Sequence, residues 1–77
     1  MPKTVSGLKL LKFLEKKGFD IYSRKSSHIK MISIKRNTKT IIPMHKEISI
    51  GTLRAIIKQA KLSEDEVREL IKWKRIV

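Results

Sequence analysis

Apolar residues near the start of the chain recur at three- and four-residue intervals, which predicts an amphipathic helix. The apolar stripe is formed by Leu10, Leu11 and Leu14, and it is flanked by Leu8 and Phe13. Ser6 is the expected N-cap, because its hydroxyl can accept hydrogen bonds from free backbone N–H groups of the first turn. Gly18 is expected to end the helix in the left-handed conformation, after Lys16 and Lys17 in the last turn.

Beyond this helix, apolar residues alternate with polar ones, which predicts three short strands. The first strand covers residues 19–24, the second residues 28–35 and the third residues 40–43. Pro43 has no backbone N–H group and therefore marks the end of the third strand or an edge position. Polar turns over residues 25–27 and 36–39 connect the strands.

Two further helices are predicted after a loop over residues 45–47. Ser49 or Gly51 begins the first of them, and its buried face consists of Leu53, Ile56, Ile57 and Ala60. Ser63 and Glu66 have the spacing of a capping box at the start of the last, short helix. The residues expected to point inward from that helix are Val67, Leu70 and Ile71.

These elements define an α+β fold with the order α-β-β-β-α-α. Three antiparallel strands bury one face, so the helices must cover that face and the expected architecture is a two-layer sandwich. A chain of 77 residues has no room for a second core, and residues 1–77 are therefore expected to form a single domain.

A strong excess of positive charge narrows the range of partners. The chain has 19 lysine and arginine residues against 7 aspartate and glutamate residues, a net charge of +12. Such a charge favours nucleic acid first, with an anionic membrane or an acidic protein as alternatives. A lysine-rich surface without any polyanionic partner is the plainer interpretation. No apolar stretch reaches the length of a membrane span and no signal peptide is recognisable, so a cytoplasmic location is expected.

Few side chains are suited to catalysis. The chain contains no cysteine, which excludes a thiol nucleophile and a thiolate metal site. Glu64, Asp65, Glu66 and Glu69 lie together, but the first three are explained by the first turn of the last helix, which leaves no carboxylate cluster for metal ions. Neither a glycine-rich phosphate loop nor zinc-ligand spacing is present. No metal and no cofactor are therefore expected, and the two histidines, His28 and His45, remain as candidates.

A histidine can cut RNA without a metal ion. It accepts the proton of a 2′-hydroxyl that attacks the adjacent phosphorus, or protonates the departing 5′ oxygen, since imidazole titrates near neutral pH. His28 stands where a polar turn enters a strand, and the cations near it in sequence are Arg24, Lys25, Lys30 and Arg36. From position alone, a strand histidine without a catalytic role is the simpler interpretation. His45 is interpreted as an ordinary loop residue, and Tyr22 and Trp73 as aromatics at the edge of the core rather than base-stacking groups.

Several stretches carry a family resemblance: Val5–Gly7, Leu14–Phe19, Lys25–His28, Ile42–Ile48, Gly51–Ala60 and Leu62–Glu66. In order and spacing they resemble the HicA (YcfA-like) toxins of toxin–antitoxin systems, and Lys25–His28 is similar to the family's Gly-Ser-His turn. Ser26 stands where the family usually has glycine, and Lys61 where a helix-ending glycine is common. The resemblance implies a fold like that of double-stranded RNA-binding domains, endoribonuclease activity on messenger RNA, an essential His28 and a HicB-type antitoxin as partner.

The leading hypothesis is a toxin that acts as a metal-independent endoribonuclease, with His28 as general base or acid. The residues expected to bind RNA surround it in sequence: Arg24, Lys25, Ser26, Ser27, Lys30 and Arg36. A non-catalytic module that binds double-stranded RNA by shape and phosphate contacts is the alternative. A third possibility is that the basic face serves only an acidic protein partner.

Overall fold

A three-stranded antiparallel sheet and three helices make up the computed structural model, which describes residues 4–76, with side chains up to Trp73. The helices are α1 (Gly7–Lys16), α2 (Ile50–Gln59) and α3 (Glu64–Ile76). The strands are β1 (Asp20–Lys25), β2 (His28–Ser33) and β3 (Thr38–Pro43), in the spatial order β1-β2-β3. The α+β class and the order α-β-β-β-α-α are therefore confirmed.

One side of the sheet is covered by helices. On β2 the buried residues are Ile29, Met31 and Ser33, which alternate with more exposed ones. Helices α1 and α2 both contact β3, and α3 contacts α1. The buried core also includes Phe13 of α1 and Leu70 of α3. The helices form one layer and the sheet the other, as expected for a two-layer sandwich.

Side-chain caps begin the three helices as the sequence predicts. The Ser6 hydroxyl accepts a hydrogen bond from Lys9 N (3.1 Å), and Ser49, rather than Gly51, caps α2. At the start of α3, Glu66 N donates to Ser63 Oγ (3.2 Å) and Ser63 N donates to Glu66 Oε1 (3.0 Å). This reciprocal pair is the predicted capping box.

Left-handed residues end α1 and α2. Gly18 has φ +93°, and the next amide, Phe19 N, donates to Leu14 O (2.9 Å), which closes the Schellman arrangement typical of helix ends. Lys61 occupies the equivalent position after α2 with φ +56°, and Leu62 N donates to Ile57 O (3.2 Å). The left-handed position that ends α2 is therefore occupied by lysine rather than glycine.

The hairpin between β2 and β3 differs from the prediction. β2 ends at Ser33, two residues earlier than expected, and β3 begins at Thr38, two residues earlier. The cause is a turn in which Asn37, at φ +54°, donates its N–H to Ile34 O (3.1 Å). Ile34 therefore leaves the sheet, and 86% of its surface is exposed.

Helix α3 is the longest helix, with 13 residues, and the prediction of a short last helix is wrong. Leu70 is buried as predicted, whereas Ile71 is 47% exposed and does not face inward. The helix is held on α1 by the Trp73 ring, which packs edge-on against Phe13 with centroids 5.4 Å apart, and by the Lys17–Glu69 ion pair (2.7 Å). Trp73 is therefore an aromatic at the edge of the core, as predicted.

Gly7 brings α1 closer to the end of β3 than a larger residue would allow. A Cβ atom there would lie 2.2 Å from the Pro43 carbonyl oxygen and 2.8 Å from Met44 Cα. We expect Gly7→Ala to lower the free energy of unfolding by about 1–3 kcal/mol, because the backbone of one element must move. Gly51→Ala is the matched control: its Cβ would meet nothing within 4 Å, and alanine favours a helix. Urea unfolding measures both variants, and a Gly7→Ala protein as stable as wild type would contradict the close approach.

Candidate active site

A β-bulge in β1 decides which cation lies beside His28. The register between β1 and β2 shifts at Tyr22, which is the extra residue of the bulge. Beyond it, Lys25 pairs with His28, and Arg24 pairs with a buried residue of β2. Paired residues of antiparallel strands point to the same side of a sheet. Lys25 therefore shares a side with His28, whereas Arg24 belongs to the helix-covered side.

We use the name open face for the side of the sheet opposite the helices, and its residues are Asp20, Tyr22, Ser23, Lys25, His28, Lys30, Ile32, Lys39, Ile41 and Pro43. Pairing with β3 places Lys39 opposite Ile32 and Ile41 opposite Lys30. The open face therefore holds three lysines and one histidine against a single carboxylate. That carboxylate, Asp20, lies at the end of β1 away from His28. The positive charge suits a polyanion.

The turn before His28 is a two-residue hairpin loop made of Ser26 and Ser27. Ser26 has φ +57°, and the Ser27 carbonyl accepts a hydrogen bond from Met44 N (2.7 Å), just beyond β3. His28 begins the central strand and is paired with a residue on each neighbouring strand. Its side chain is thus solvent-exposed on a support that is fixed from both sides.

A shallow depression of about 420 Å³ contains both histidines. It is lined by His28, Ile41, Pro43, His45, Glu47, Ile48, Ser49 and Thr52. Two hydrogen bonds hold the His45–Glu47 segment in place: Gly7 N donates to His45 O (2.8 Å), and Thr4 Oγ1 donates to Glu47 Oε1 (3.0 Å). Two imidazoles and a carboxylate provide the groups that paired general acid and base catalysis requires.

From the sequence alone, His45 is interpreted as an ordinary loop residue, and neither Glu47 nor Lys39 is recognisable as a site residue. The signal that identifies them is strand pairing: His28 pairs with Pro43, two residues before His45, and Lys39 points to the same side of β3 as Ile41. A chain that leaves the sheet at Pro43 must pass close to the start of β2. Knowledge of the register is therefore needed before His45 and Glu47 can be placed near His28, and Lys39 on the open face.

Arg36 is held in an ion pair away from His28. It lies in the turn at the far end of β2, where Nη1 and Nη2 donate to the two carboxylate oxygens of Glu66 (2.9 and 2.5 Å). These hydrogen bonds lower the pKa of Glu66 to about 2. Arg36 thus anchors the β2–β3 hairpin to α3.

Of the predicted RNA-binding residues, the structure groups Lys25, Ser26, Ser27 and Lys30 near His28, and it does not bring Arg24 or Arg36 onto the open face.

The Arg36–Glu66 pair makes stability depend on pH in acid. The folded state holds the pKa of Glu66 at about 2, below its ordinary value of 4.5. The carboxylate therefore stabilises the fold above pH 4.5, and this contribution disappears as the pH falls toward 2. We expect the free energy of unfolding of the wild type to exceed that of Glu66→Gln by roughly 2 kcal/mol near neutral pH. This difference should disappear as the pH falls from 4.5 to 2. Glutamine keeps the capping box. Urea unfolding across this pH range measures the gap, and a constant gap would contradict the assignment.

Ser26 adopts a backbone conformation that favours glycine. In the two-residue loop only Ser26 has a positive φ (+57°), which is the pattern of a type II′ turn with glycine at its first position. We expect Ser26→Gly to raise the free energy of unfolding by about 1 kcal/mol. Ser27→Gly, which relieves no positive φ, is the control and should give no gain. Thermal unfolding compares them, and a loss of stability in Ser26→Gly would sink the explanation.

Two properties of the described residues bear on the kind of site. None of their helices is long and apolar enough to cross a membrane. Nor do they contain a group of three or more histidine, cysteine, aspartate or glutamate side chains placed to hold a metal ion.

Comparison with known proteins assigns the chain to a family. Residues 7–62 match the model of the family described as the HicA toxin of bacterial toxin–antitoxin. The matched stretch runs from the start of α1 to just beyond α2 and includes the whole open face and the depression with both histidines. No curated protein and no solved structure matches the chain. Because the family match covers well over half of the sequence, the protein belongs to the HicA family, the toxins of toxin–antitoxin pairs.

Proposed function

We propose that this toxin is a metal-independent endoribonuclease that cuts messenger RNA, with His28 as a proton-transfer group. The observation that carries the proposal is the position of His28, which is exposed on a lysine-rich sheet face and shares a depression with His45. The net charge of +12 supports RNA as the target, because release of counterions from a polyanion drives such binding. Membership in a toxin family supports a damaging activity in the cell.

The proposed reaction uses the 2′-hydroxyl of the RNA as nucleophile. One imidazole accepts the 2′-hydroxyl proton while O2′ forms a bond to the adjacent phosphorus. The bond from phosphorus to O5′ breaks, and a protonated imidazole donates its proton to the departing oxygen. The products are a 2′,3′-cyclic phosphate and a 5′-hydroxyl. His28 supplies one of the two roles, and His45 is the proposed partner because it lines the same depression.

The lysines of the open face are proposed to hold the RNA backbone. Lys25 lies directly across from His28, and Lys30 is two residues farther along β2 on the same side. Cations at these positions attract phosphate and stabilise the extra negative charge that develops on phosphorus oxygens during attack. The Ser26–Ser27 turn is proposed to approach the same phosphate, because it joins Lys25 to His28.

A HicB-type antitoxin is the proposed protein partner, and the cytoplasm the proposed location. The family assignment implies that an antitoxin exists. An antitoxin that covers the open face would need an acidic surface to match its lysines. Electrostatic complementarity of this kind predicts rapid association that slows as the salt concentration rises.

The test compares two strands of one sequence, unmodified RNA and its 2′-O-methyl version, each incubated with the toxin in EDTA. We expect fragments with 2′,3′-cyclic phosphate ends from the unmodified strand alone, because methylation removes the nucleophile. Binding of both strands, measured by gel shift, shows that the methylated strand reaches the site. Cleavage of the methylated strand, or cleavage only after a divalent ion is added, would overturn the mechanism. Intact RNA with retained binding would favour the non-catalytic RNA-binding module.

A further inference from the structure

A second depression, of about 530 Å³, borders the one that contains His28. The two are adjacent, because Ile41 and Thr52 line both. The second depression extends over the open face to Tyr22 and around the edge of β3 to α2. Its lining includes the two lysines Lys30 and Lys39, and no carboxylate. A ligand that occupies the first depression can therefore continue into the second, and the lining there favours negative charge.

Tyr22 gives this depression an exposed aromatic surface. The residue is 51% exposed, and it is not packed against the core in the way that Trp73 is. The sequence-based interpretation of Tyr22 as an aromatic at the edge of the core is therefore wrong. Its place in the bulge explains the exposure, because an extra residue in a strand redirects its side chain away from the regular alternation.

We infer that Tyr22 forms a subsite for one unpaired nucleobase next to the cleaved phosphodiester. The base stacks on the phenol ring, and the phosphate attached to that nucleotide contacts Lys30 or Lys39. This inference rests on the proposed function, and it specifies the substrate further. A base that is paired and stacked within an A-form duplex does not present its face to a protein side chain. The subsite therefore selects single-stranded RNA at the cleavage position.

The chemistry of the depression favours a nucleotide over a protein segment. An acidic peptide would satisfy the lysines but would not need an exposed aromatic beside them. A nucleotide uses both features, since each nucleotide carries a planar base that can stack and a phosphate that can pair with lysine. Because Ile41 and Thr52 border both depressions, a nucleotide in the second depression would be the neighbour of the one bound beside His28.

The experiment measures affinity by fluorescence anisotropy, with wild type, Tyr22→Ala and Tyr22→Phe. All probes are 2′-O-methylated: a labelled single strand, the same strand annealed to its 2′-O-methyl complement, and an abasic strand of equal length. We expect Tyr22→Ala to weaken single-strand binding about tenfold or more, the usual effect of losing one stacked base. Tyr22→Phe, which keeps the ring, should bind like wild type. Duplex and abasic affinities should be the same for all three proteins.

Equal loss of single-strand and duplex affinity in Tyr22→Ala would overturn the subsite, as would no loss at all. Urea unfolding of Tyr22→Ala checks that the fold is intact. Because the probes cannot be cleaved, the result does not depend on catalysis. If the toxin does not cleave RNA but Tyr22 matters for single strands, the proposed reaction fails and the subsite stands. If the toxin cleaves RNA but Tyr22→Ala binds normally, the subsite alone fails.

Discussion

Replacing His28 with alanine is expected to slow RNA cleavage by about 10²–10⁴-fold, the usual contribution of a positioned general acid or base. RNA affinity is expected to stay within about threefold of wild type, because the lysines that contact phosphate remain. The fold should tolerate the change, since the side chain is exposed and only the backbone of His28 pairs with the neighbouring strands. Single-turnover cleavage in EDTA and binding to a 2′-O-methyl strand measure the two effects separately.

Two further histidine variants test whether His28 transfers a proton and whether His45 takes part. His28→Gln keeps a hydrogen-bonding side chain but cannot exchange a proton at neutral pH, so it should lose as much activity as His28→Ala. His45→Ala should also slow cleavage if the two imidazoles act as acid and base in one depression. A His28→Gln protein that retains wild-type activity would show that His28 only positions the RNA.

Removing the three lysines of the open face is expected to weaken RNA binding by about 100-fold at 0.1 M salt. The variant combines Lys25→Ala, Lys30→Ala and Lys39→Ala, all on the side of the sheet that carries His28. Each lost contact with a single strand removes about 0.7 from the slope of log affinity against log salt, so the slope should fall by about 2. Anisotropy titrations with a 2′-O-methyl strand at several salt concentrations measure both quantities.

The control for this prediction removes the same charge from the other layer of the molecule. Lys12, Lys58 and Lys72 are exposed on α1, α2 and α3, one on each helix. Alanine at all three changes the net charge equally but leaves the open face intact. A loss of affinity as large as that of the open-face variant would mean that RNA responds to total charge, and that the open face is not the binding surface.

The order of the elements, the starts of the helices and the end of α1 are predictable from the sequence because their signals are local. Ser6, Gly18 and the Ser63–Glu66 box act through atoms within a few residues of themselves, so their identity and spacing are sufficient. The conformation of the turn before His28 is also a local property. Ser26, where the family usually has glycine, has a positive φ in the structure.

The composition of the site depends on the register between strands, which local patterns do not specify. Without the bulge at Tyr22, unbroken alternation would place Arg24, rather than Lys25, opposite His28. The bulge has no clear sequence signal, because Ile21, Tyr22 and Ser23 read as ordinary strand residues. Arg36 is close to His28 in sequence and is therefore predicted to bind RNA with it. Its ion pair with Glu66, which is distant in sequence, holds it at the other end of the sheet.

The position of His45 also depends on the register between strands. It lies 17 residues after His28 in sequence, and only the pairing of His28 with Pro43 brings the two into one depression. The sequence therefore identifies the strongest single candidate, His28, and the positive charge of its surroundings. It does not identify the second imidazole, the third lysine of the open face or the exposed tyrosine.

The measurement that bears most directly on metal-free cleavage by His28 is a single-turnover assay of long RNA in EDTA. Wild type, His28→Ala, and His28→Ala with added imidazole are compared side by side. We predict fragments from wild type, intact RNA with His28→Ala, and partial recovery of the same fragments when free imidazole replaces the missing side chain. Identical fragments at equal rates from wild type and His28→Ala, or intact RNA in all three reactions, would contradict the assignment of this chemistry to His28.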